Sequence, residues 1–487
     1  MKDILASTVM VGGGSLVNIL CGIVRSKVIS VTVGPAGIGF QGLLQSTLRT
    51  AVSVANMSLQ TSGVREVARL RAEQNTSELG HTLRALLLGT STLGGLAALI
   101  LLLFQGPLAG VVLDDPARGW TLAILGIGVF AQVIYAAYDA FLRGFRRIAQ
   151  LTKASVLSNV MAAVIGSALV LQFGTAGIVW ALVAQPLTTL LLAVIVGRDI
   201  RQHLVPAVEG RTRRALMKIL GTGVVLAVTA LLGTGTQLAA RVLVTRYASL
   251  DDTGYFQAAS AVSILYLGFV LGALSADYYP RLAEAGSDRA VLKRMVNEQA
   301  RVSVLLAGPV VLGVLALSGP VVSLLYTAKF AVTADLLRWQ LLGDVLKVGS
   351  WTLGYLVLAQ GRPRVYFLTE LSWNAAYLIA LVVLLPTLGV QATAAAYVIA
   401  SALYFIVLCI VTNRLAGFTW SRENILLMVG LTLLALVVLG AHLFLQRWPG
   451  LIVGCVTTAL FGAFCLYRLV HEAGFVRKFR RSKAGPR

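Results

Sequence analysis

The chain has 487 residues, 57% of them hydrophobic and only 13% charged, with a mean hydropathy of +0.83. Soluble domains carry about 25% charged residues, so a soluble fold is excluded and an all-α integral membrane protein is expected. Its 41 Lys and Arg against 20 Asp and Glu give a net charge of +21, but these charges cluster between apolar runs and no nucleic-acid partner is expected.

Taken in order, apolar runs long enough to cross a bilayer alternate with short polar or Gly/Pro turns. They fall near residues 4–30, 38–64, 83–105, 119–142, 150–172, 176–197, 216–245, 255–279, 299–319, 331–359, 365–386, 392–413, 424–445 and 450–470. About fourteen transmembrane helices are therefore expected. The first run ends in no small-residue cleavage site and more spans follow, so it reads as a retained helix. No gap can hold a soluble domain. The longest, 198–215, is basic, contains Pro206 and Gly210, and reads as a cytoplasmic linker.

Positive charge orients the chain. With the N-terminus inside, 31 of the 41 basic residues fall in cytoplasmic segments and the C-terminal tail, against Arg118, Arg246, Lys329 and Arg447 outside. Both termini are then cytoplasmic, and the tail is placed to touch anionic headgroups. Six basic residues remain within spans: Arg25, Lys27, Arg49, Arg241, Arg338 and Lys347.

A shift of 216 positions lays Arg25 on Arg241, Val28 on Val244, Phe40 on Phe256 and Gln41 on Gln257. Gly144 and Arg147 open a basic turn as Gly361 and Arg364 do, and Gly174 and Gly389 each sit in the next outer turn. Such a repeat implies two pseudo-symmetric six-helix lobes. The expected division is an N-lobe at 1–197, the linker at 198–215, a C-lobe at 216–413, a C-terminal helix pair at 424–470 and a basic cytoplasmic tail at 471–487.

The second predicted helix carries the most telling pattern. Gln41, Gln45, Arg49, Ser53, Asn56, Gln60 and Gly63 recur every three or four residues, one stripe on a helix. An arginine facing lipid at mid-span costs about 2.5–3.5 kcal/mol on insertion scales, so the stripe faces other helices or a wet cavity. Asn18 shares a face with Arg25, as Gln237 does with Arg241. The three arginines have no acidic partner at helical spacing, and guanidinium forks suit phosphate oxygens. Arg25, Arg49 and Arg241 are the candidate anion site. Lys27 and Arg338 lie nearer span ends, where they can snorkel.

Further along, Asp344 and Lys347 are spaced to pair, and Glu370 and Asp277 are the other acids near spans. Each fits either a structural ion pair or energy coupling. Trp351, Tyr355, Trp373 and Tyr377 fit a platform for stacking sugar rings, or interface anchoring and packing against lipid, and Asn374 is a further polar residue on the same predicted helix as Trp373 and Tyr377. Cys21, Cys409, Cys455 and Cys465 sit in apolar segments without metal-ligand spacing, and no cofactor or metal is expected. No Walker-type loop is present. Asp114-Asp115 and Asp251-Asp252 are the acidic pairs that a membrane glycosyltransferase or polymerase would need, though in very short loops.

Arg25 followed by Val33-Gly34-Pro35-Ala36-Gly37-Ile38-Gly39 resembles the first helix and turn of Wzx-type O-antigen and lipid-linked oligosaccharide flippases. Thr253-Gly254-Tyr255-Phe256-Gln257, Asp277-Tyr278-Tyr279-Pro280-Arg281-Leu282 and the stretch from Gly361-Arg362 to Glu370 resemble their second half. These belong to the multidrug/oligosaccharidyl-lipid/polysaccharide (MOP) exporter superfamily. The resemblance implies a V-shaped pair of lobes around a cationic cavity and flipping of undecaprenyl-diphosphate-linked glycans from the inner to the outer leaflet. Arg25, Arg49 and Arg241 would hold the diphosphate. Asn18, Gln41, Gln45, Asn56, Gln60, Gln237, Trp351, Tyr355, Asn374 and Tyr377 would contact sugar. It further implies a bacterial inner-membrane location, a lipid-linked glycan substrate and membrane lipids as partners, and polysaccharide polymerase machinery nearby. The last two helices resemble those of lipid II flippases, and a cation-coupled drug antiporter of the same superfamily is the other alternative.

Overall fold

The computed structural model describes residues 2–57, 59–203, 209–286, 288–445 and 447–483, with side chains described for 13–57, 59–200, 202, 210–221, 227–275, 277–286, 288–445 and 448–471. Pro206 of the predicted linker and the last four residues of the basic tail, 484–487, lie outside the described residues. Contacts group the chain into two compact units, one of residues 1–257 with 325–329, the other of 258–324 with 330–487.

The first unit holds α1 (Lys2–Thr32), α2 (Pro35–Asn56), α3 (Leu59–Ala72), α4 (Thr76–Leu103), α5 (Gln105–Val112), α6 (Gly119–Gly144), α7 (Ile148–Phe173), α8 (Thr175–Val196), α9 (Glu209–Tyr247) and the start of α10 (Leu250–Glu284). Local sequence sets the boundaries. Pro35 opens α2 after Gly34 at φ 81°, where its missing N–H is harmless. Asn75 caps α4 by accepting from the Glu78 amide at 3.1 Å. α7 and α8 form a hairpin, α1 packs on α7, α6 lies against α4, α8 and α3, and α2 packs on α9 and α6. Leu59, Leu83, Leu86, Ala137, Phe141 and Leu142 fill the core where α3, α4 and α6 meet.

The second unit holds the remainder of α10, then α11 (Arg289–Ala316), α12 (Ser318–Leu325), α13 (Ala331–Ala359), α14 (Pro363–Leu388), α15 (Gln391–Ala416), α16 (Arg422–Phe444) and α17 (Arg447–Lys483). α15 packs on α13 and α14, and α11 carries α13, α16 and α17. Tyr278, Leu282, Leu353, Leu356 and Leu408 form its core. Leu103, Leu426 and Phe444 are exposed, as side chains facing acyl chains are.

Among the described residues 13 helices are long and apolar enough to cross a membrane, and the chain is a multi-pass membrane protein of all-α class. α2, 22 residues long, was the fourteenth expected span and is too polar to count among the 13. The span predicted at 38–64 is corrected in another respect. Helix α2 stops at Asn56, and Met57 turns left-handed at φ 40°, ψ 37°, so Gln60 and Gly63 belong to α3. Periodicity in the sequence runs through that break because Asn56 and Gln60 keep the helical spacing.

Two close approaches fix the start of α2. A Cβ on Gly39 would lie 2.2 Å from the Leu250 carbonyl oxygen, and one on Gly254 would lie 2.1 Å from that of Pro35. Only glycine lets the first turns of α2 and α10 cross with backbones touching. The repeat also appears in the turns. Gly174 and Gly389 both adopt φ 54°. Arg146 (φ 58°) and Gly361 (φ 64°) occupy the left-handed position of the preceding turn, so Arg146 rather than Gly144 is the counterpart of Gly361.

Candidate functional site

The candidate polar residues of the first unit lie on α1, α2, α3, α6, α7, α8, α9 and the start of α10. Arg25, half-buried on α1, donates from Nη1 to Gln185 Oε1 on α8 at 2.7 Å. Gln185 Nε2 in turn donates to Asn159 Oδ1 on α7 at 3.1 Å, and Asn159 Nδ2 to the Ser155 carbonyl at 2.8 Å. The Nε of Arg25 is buried with no hydrogen-bond partner among the described residues. Arg49 is exposed on α2, close enough for the two guanidinium charges to repel. Among the described residues no carboxylate pairs with either. Like charges placed together inside spans are unfavourable unless an anion relieves them.

Arg241 is buried on α9 and is held differently. Its Nε donates to Gln257 Oε1 at 2.7 Å, its Nη1 to the Gln237 carbonyl at 2.7 Å and to Gln237 Oε1 at 2.9 Å. The guanidinium also lies 5.6 Å from the centre of the Phe256 ring, a cation–π distance. Of the stripe on α2, Gln41 is buried and Gln45 half-buried. Asn56, like Asn18 on α1, has a buried side-chain oxygen without a partner among the described residues. Gln60 does not join them: on α3 it donates to Asp139 Oδ2 at 2.6 Å. That carboxylate, 1% exposed, also accepts from Arg143 at 2.7 Å and from Tyr135 at 3.3 Å.

In the second unit the acids are held by hydroxyls. Asp344 on α13, wholly buried, accepts from Ser263 Oγ at 2.6 Å, from Tyr397 OH at 2.7 Å and from Tyr266 OH. The expected Asp344–Lys347 pair is replaced by this arrangement. Tyr397 of α15 comes between them, its hydroxyl 3.4 Å from Lys347 Nζ. Lys347 instead lies within electrostatic reach of Glu370, which accepts from Tyr404 OH at 2.6 Å. Asp277 stands apart, exposed at the end of α10 and paired with Arg281 at 3.0 Å.

The aromatic residues stack on one another. Trp351 lies 5.0 Å from Tyr355 and 5.7 Å from Tyr278 between ring centres, within the core of the unit. Trp373 and Tyr377 on α14 stack at 5.3 Å and 11°. Asn374 is buried between them in sequence and donates to the Glu370 carbonyl at 2.8 Å. The acidic pairs of the outer loops are engaged locally. Asp115 caps a short turn and pairs with Arg118 at 3.0 Å, and Asp252 accepts from Ser249 Oγ at 2.7 Å.

Sequence reasoning missed Gln185, Asn159, Asp139, Ser263, Tyr266, Tyr397 and Tyr404. Gln185 had a signal: it is a polar residue before Pro186 in the middle of an apolar run. Asp139 had one too, a carboxylate inside a span four residues before Arg143. The hydroxyls around Asp344 come from α10 and α15 and carry no mark in sequence.

The sequence pattern that defines the polysaccharide biosynthesis protein family matches residues 50–335, more than half of the chain. This chain belongs to that family. Over 407 residues it is 26% identical to the lipid III flippase of Escherichia coli (strain K12), covering 81% of this chain and 94% of the relative. A lipid II flippase, MurJ, in an inward closed conformation matches with a TM-score of 0.73 at 15% identity, over 96% of this chain and 100% of that one. An inward-facing multidrug resistance MATE family transporter of the MOP superfamily matches at 0.68 and 15%, over 85% and 95%. The fold of this polysaccharide biosynthesis protein is thus that of the MOP transporters, as the family resemblance read from the sequence implied. Gln185, Arg241 and Gln257 lie inside the matched span, whereas Arg25 and Arg49 precede it.

Proposed function

We propose that this protein flips an undecaprenyl-diphosphate-linked oligosaccharide, of the O-antigen, enterobacterial-common-antigen or exopolysaccharide kind, from the inner to the outer leaflet of the bacterial inner membrane. The observation that carries the proposal is Arg25, held by the neutral Gln185 at 2.7 Å with its buried Nε unbonded and, like Arg49, with no carboxylate pairing among the described residues. A diphosphate supplies the missing negative charge and the oxygens that guanidinium donors fit. The kinship with a lipid III flippase points the same way.

Arg241 is the third diphosphate ligand in this reading. Gln41, Gln45, Asn18, Asn56 and Gln237 line the path of the headgroup, whereas Trp351, Tyr355, Asn374 and Tyr377 are packed against their neighbours in the second unit and are not proposed to contact sugar. Gln60 serves Asp139 instead. Transport proceeds by alternating access, with flexing at Gly12–Gly14, Gly233, Gly235, Pro186 and Pro309 and both termini cytoplasmic. Asp344 and Glu370 are the coupling acids. Asp277 is less suited, being exposed and paired with Arg281. Local engagement of Asp115 and Asp252 disfavours metal-dependent sugar transfer.

Reconstituted vesicles carrying a fluorescent polyprenyl-diphosphate oligosaccharide test the proposal. Two charge-assisted contacts at about 1.5–3 kcal/mol each make the expected loss in the R25A/R49A protein at least about a hundredfold. Full translocation by that variant, or transport of a cationic dye in place of the glycolipid, overturns it. A lipid II cargo offered in parallel separates the two glycan classes.

A further inference from the structure

We infer that Gln185 is a positioning residue: its neutral amide aims Arg25 at the anionic cargo while leaving the arginine's charge uncancelled. The inference rests on the anion-carrying reading above and deepens it.

The relay across three helices sets the direction of the amide. Asn159 Oδ1 takes the Gln185 Nε2 donor at 3.1 Å, so Oε1 is the end turned to Arg25, at 2.7 Å from Nη1. Asn159 is itself tied to its own helix through the Ser155 carbonyl. Among the described residues Arg25 is thereby fixed by a single neutral acceptor. Its buried Nε keeps a donor unused among the described residues, and its described charged neighbour is Arg49, another cation. A glutamate at 185 has almost the same shape and makes a stronger bond to Arg25. It also brings the negative charge that the cargo would otherwise supply. Glutamine therefore gives geometry without neutralisation. Gln257 stands in the same relation to the guanidinium of Arg241, at 2.7 Å.

A purely structural role and this one order the variants oppositely. If Gln185 only held helices together, Q185E would behave as wild type and Q185A would be the damaging change. The positioning role makes Q185E the damaging one. Full-length protein in nanodiscs is titrated with farnesyl diphosphate, with farnesol as the uncharged control, and thermal stability is measured alongside. Q185E is expected to keep wild-type stability or exceed it and to bind the diphosphate at least about thirtyfold more weakly. Q185A, which keeps a charged but less restrained Arg25, is expected to lose only about three- to tenfold. Farnesol binding stays unchanged in both. Wild-type affinity in Q185E, a larger loss in Q185A, or unfolding of Q185E overturns the inference while leaving the flippase reading intact. Wild-type protein that does not prefer the diphosphate to farnesol overturns both.

Discussion

The two units hold charge inside the membrane in opposite ways. In the first, Arg25 leans on a glutamine and Arg49 on nothing described, so positive charge is left over. In the second, Asp344 is buried among three hydroxyls and Glu370 is held by a fourth. Neutral partners hold Arg25 and Asp344, whereas Asp139 is paired with Arg143 and Glu370 lies in reach of Lys347. Neutral hydrogen-bond partners fix a charged group in place and leave its charge available to something that arrives. On the proposed reading an anion suits the first unit and a coupling proton the second. The contrast explains why the spacing of Asp344 and Lys347 misled: an ion pair there would have used up both charges.

The largest effect on this contrast should come from Asp344. Removing its carboxylate with Asp344→Ala strands three buried hydroxyls and should destabilise the protein by about 3 kcal/mol, read as a lowered thermal midpoint. Asp344→Asn keeps an acceptor for them. It is expected to lose less than about 1 kcal/mol while stopping gradient-driven transport. Equal stability losses in the two variants would mean that packing, not hydroxyl satisfaction, holds the site.

A smaller effect comes from charges that are paired in the ordinary way. Glu66 on α3 accepts from Arg69 at 2.7 Å and from Lys218 of α9 at 2.9 Å. The Arg69 hydrogen bond, helped by Lys218, holds the Glu66 carboxyl below the usual carboxylate range against a partial burial that opposes it. Because its folded pKa is depressed, this contribution is fully present above about pH 4.3. It fades as pH falls through the lower folded value. Arg69 is 43% exposed, so Glu66→Gln should cost under about 1 kcal/mol at pH 7 and nothing at pH values where Glu66 is protonated. A midpoint difference between the two proteins that persists in acid would assign the effect to shape instead of charge.

Much of the fold was legible because bilayer crossing demands long apolar runs, and those runs are visible residue by residue. Gly174 and Gly389 marked matching turns because a positive φ needs glycine, and both show it. The break at Met57 was hidden, since Asn56 and Gln60 continue the periodicity of α2 across it. Arg25, Arg49 and Arg241 stood out because arginine is costly inside a span. Their partners did not, because Gln185, Asn159 and Tyr397 are brought in by helices distant in sequence and are unremarkable singly. Spacing along one helix finds neighbours on that helix and is blind to an intruding tyrosine from another.

The central claim is that the uncancelled charge of Arg25 and Arg49 holds the cargo's phosphates. Its most direct test compares the affinities of wild-type and R25Q/R49Q protein for farnesyl diphosphate and for farnesol. Wild type is predicted to favour the diphosphate by at least about a hundredfold, and the double variant to lose most of that preference, keeping only what Arg241 supplies, with farnesol affinity unchanged. A double variant that keeps the wild-type preference would contradict it.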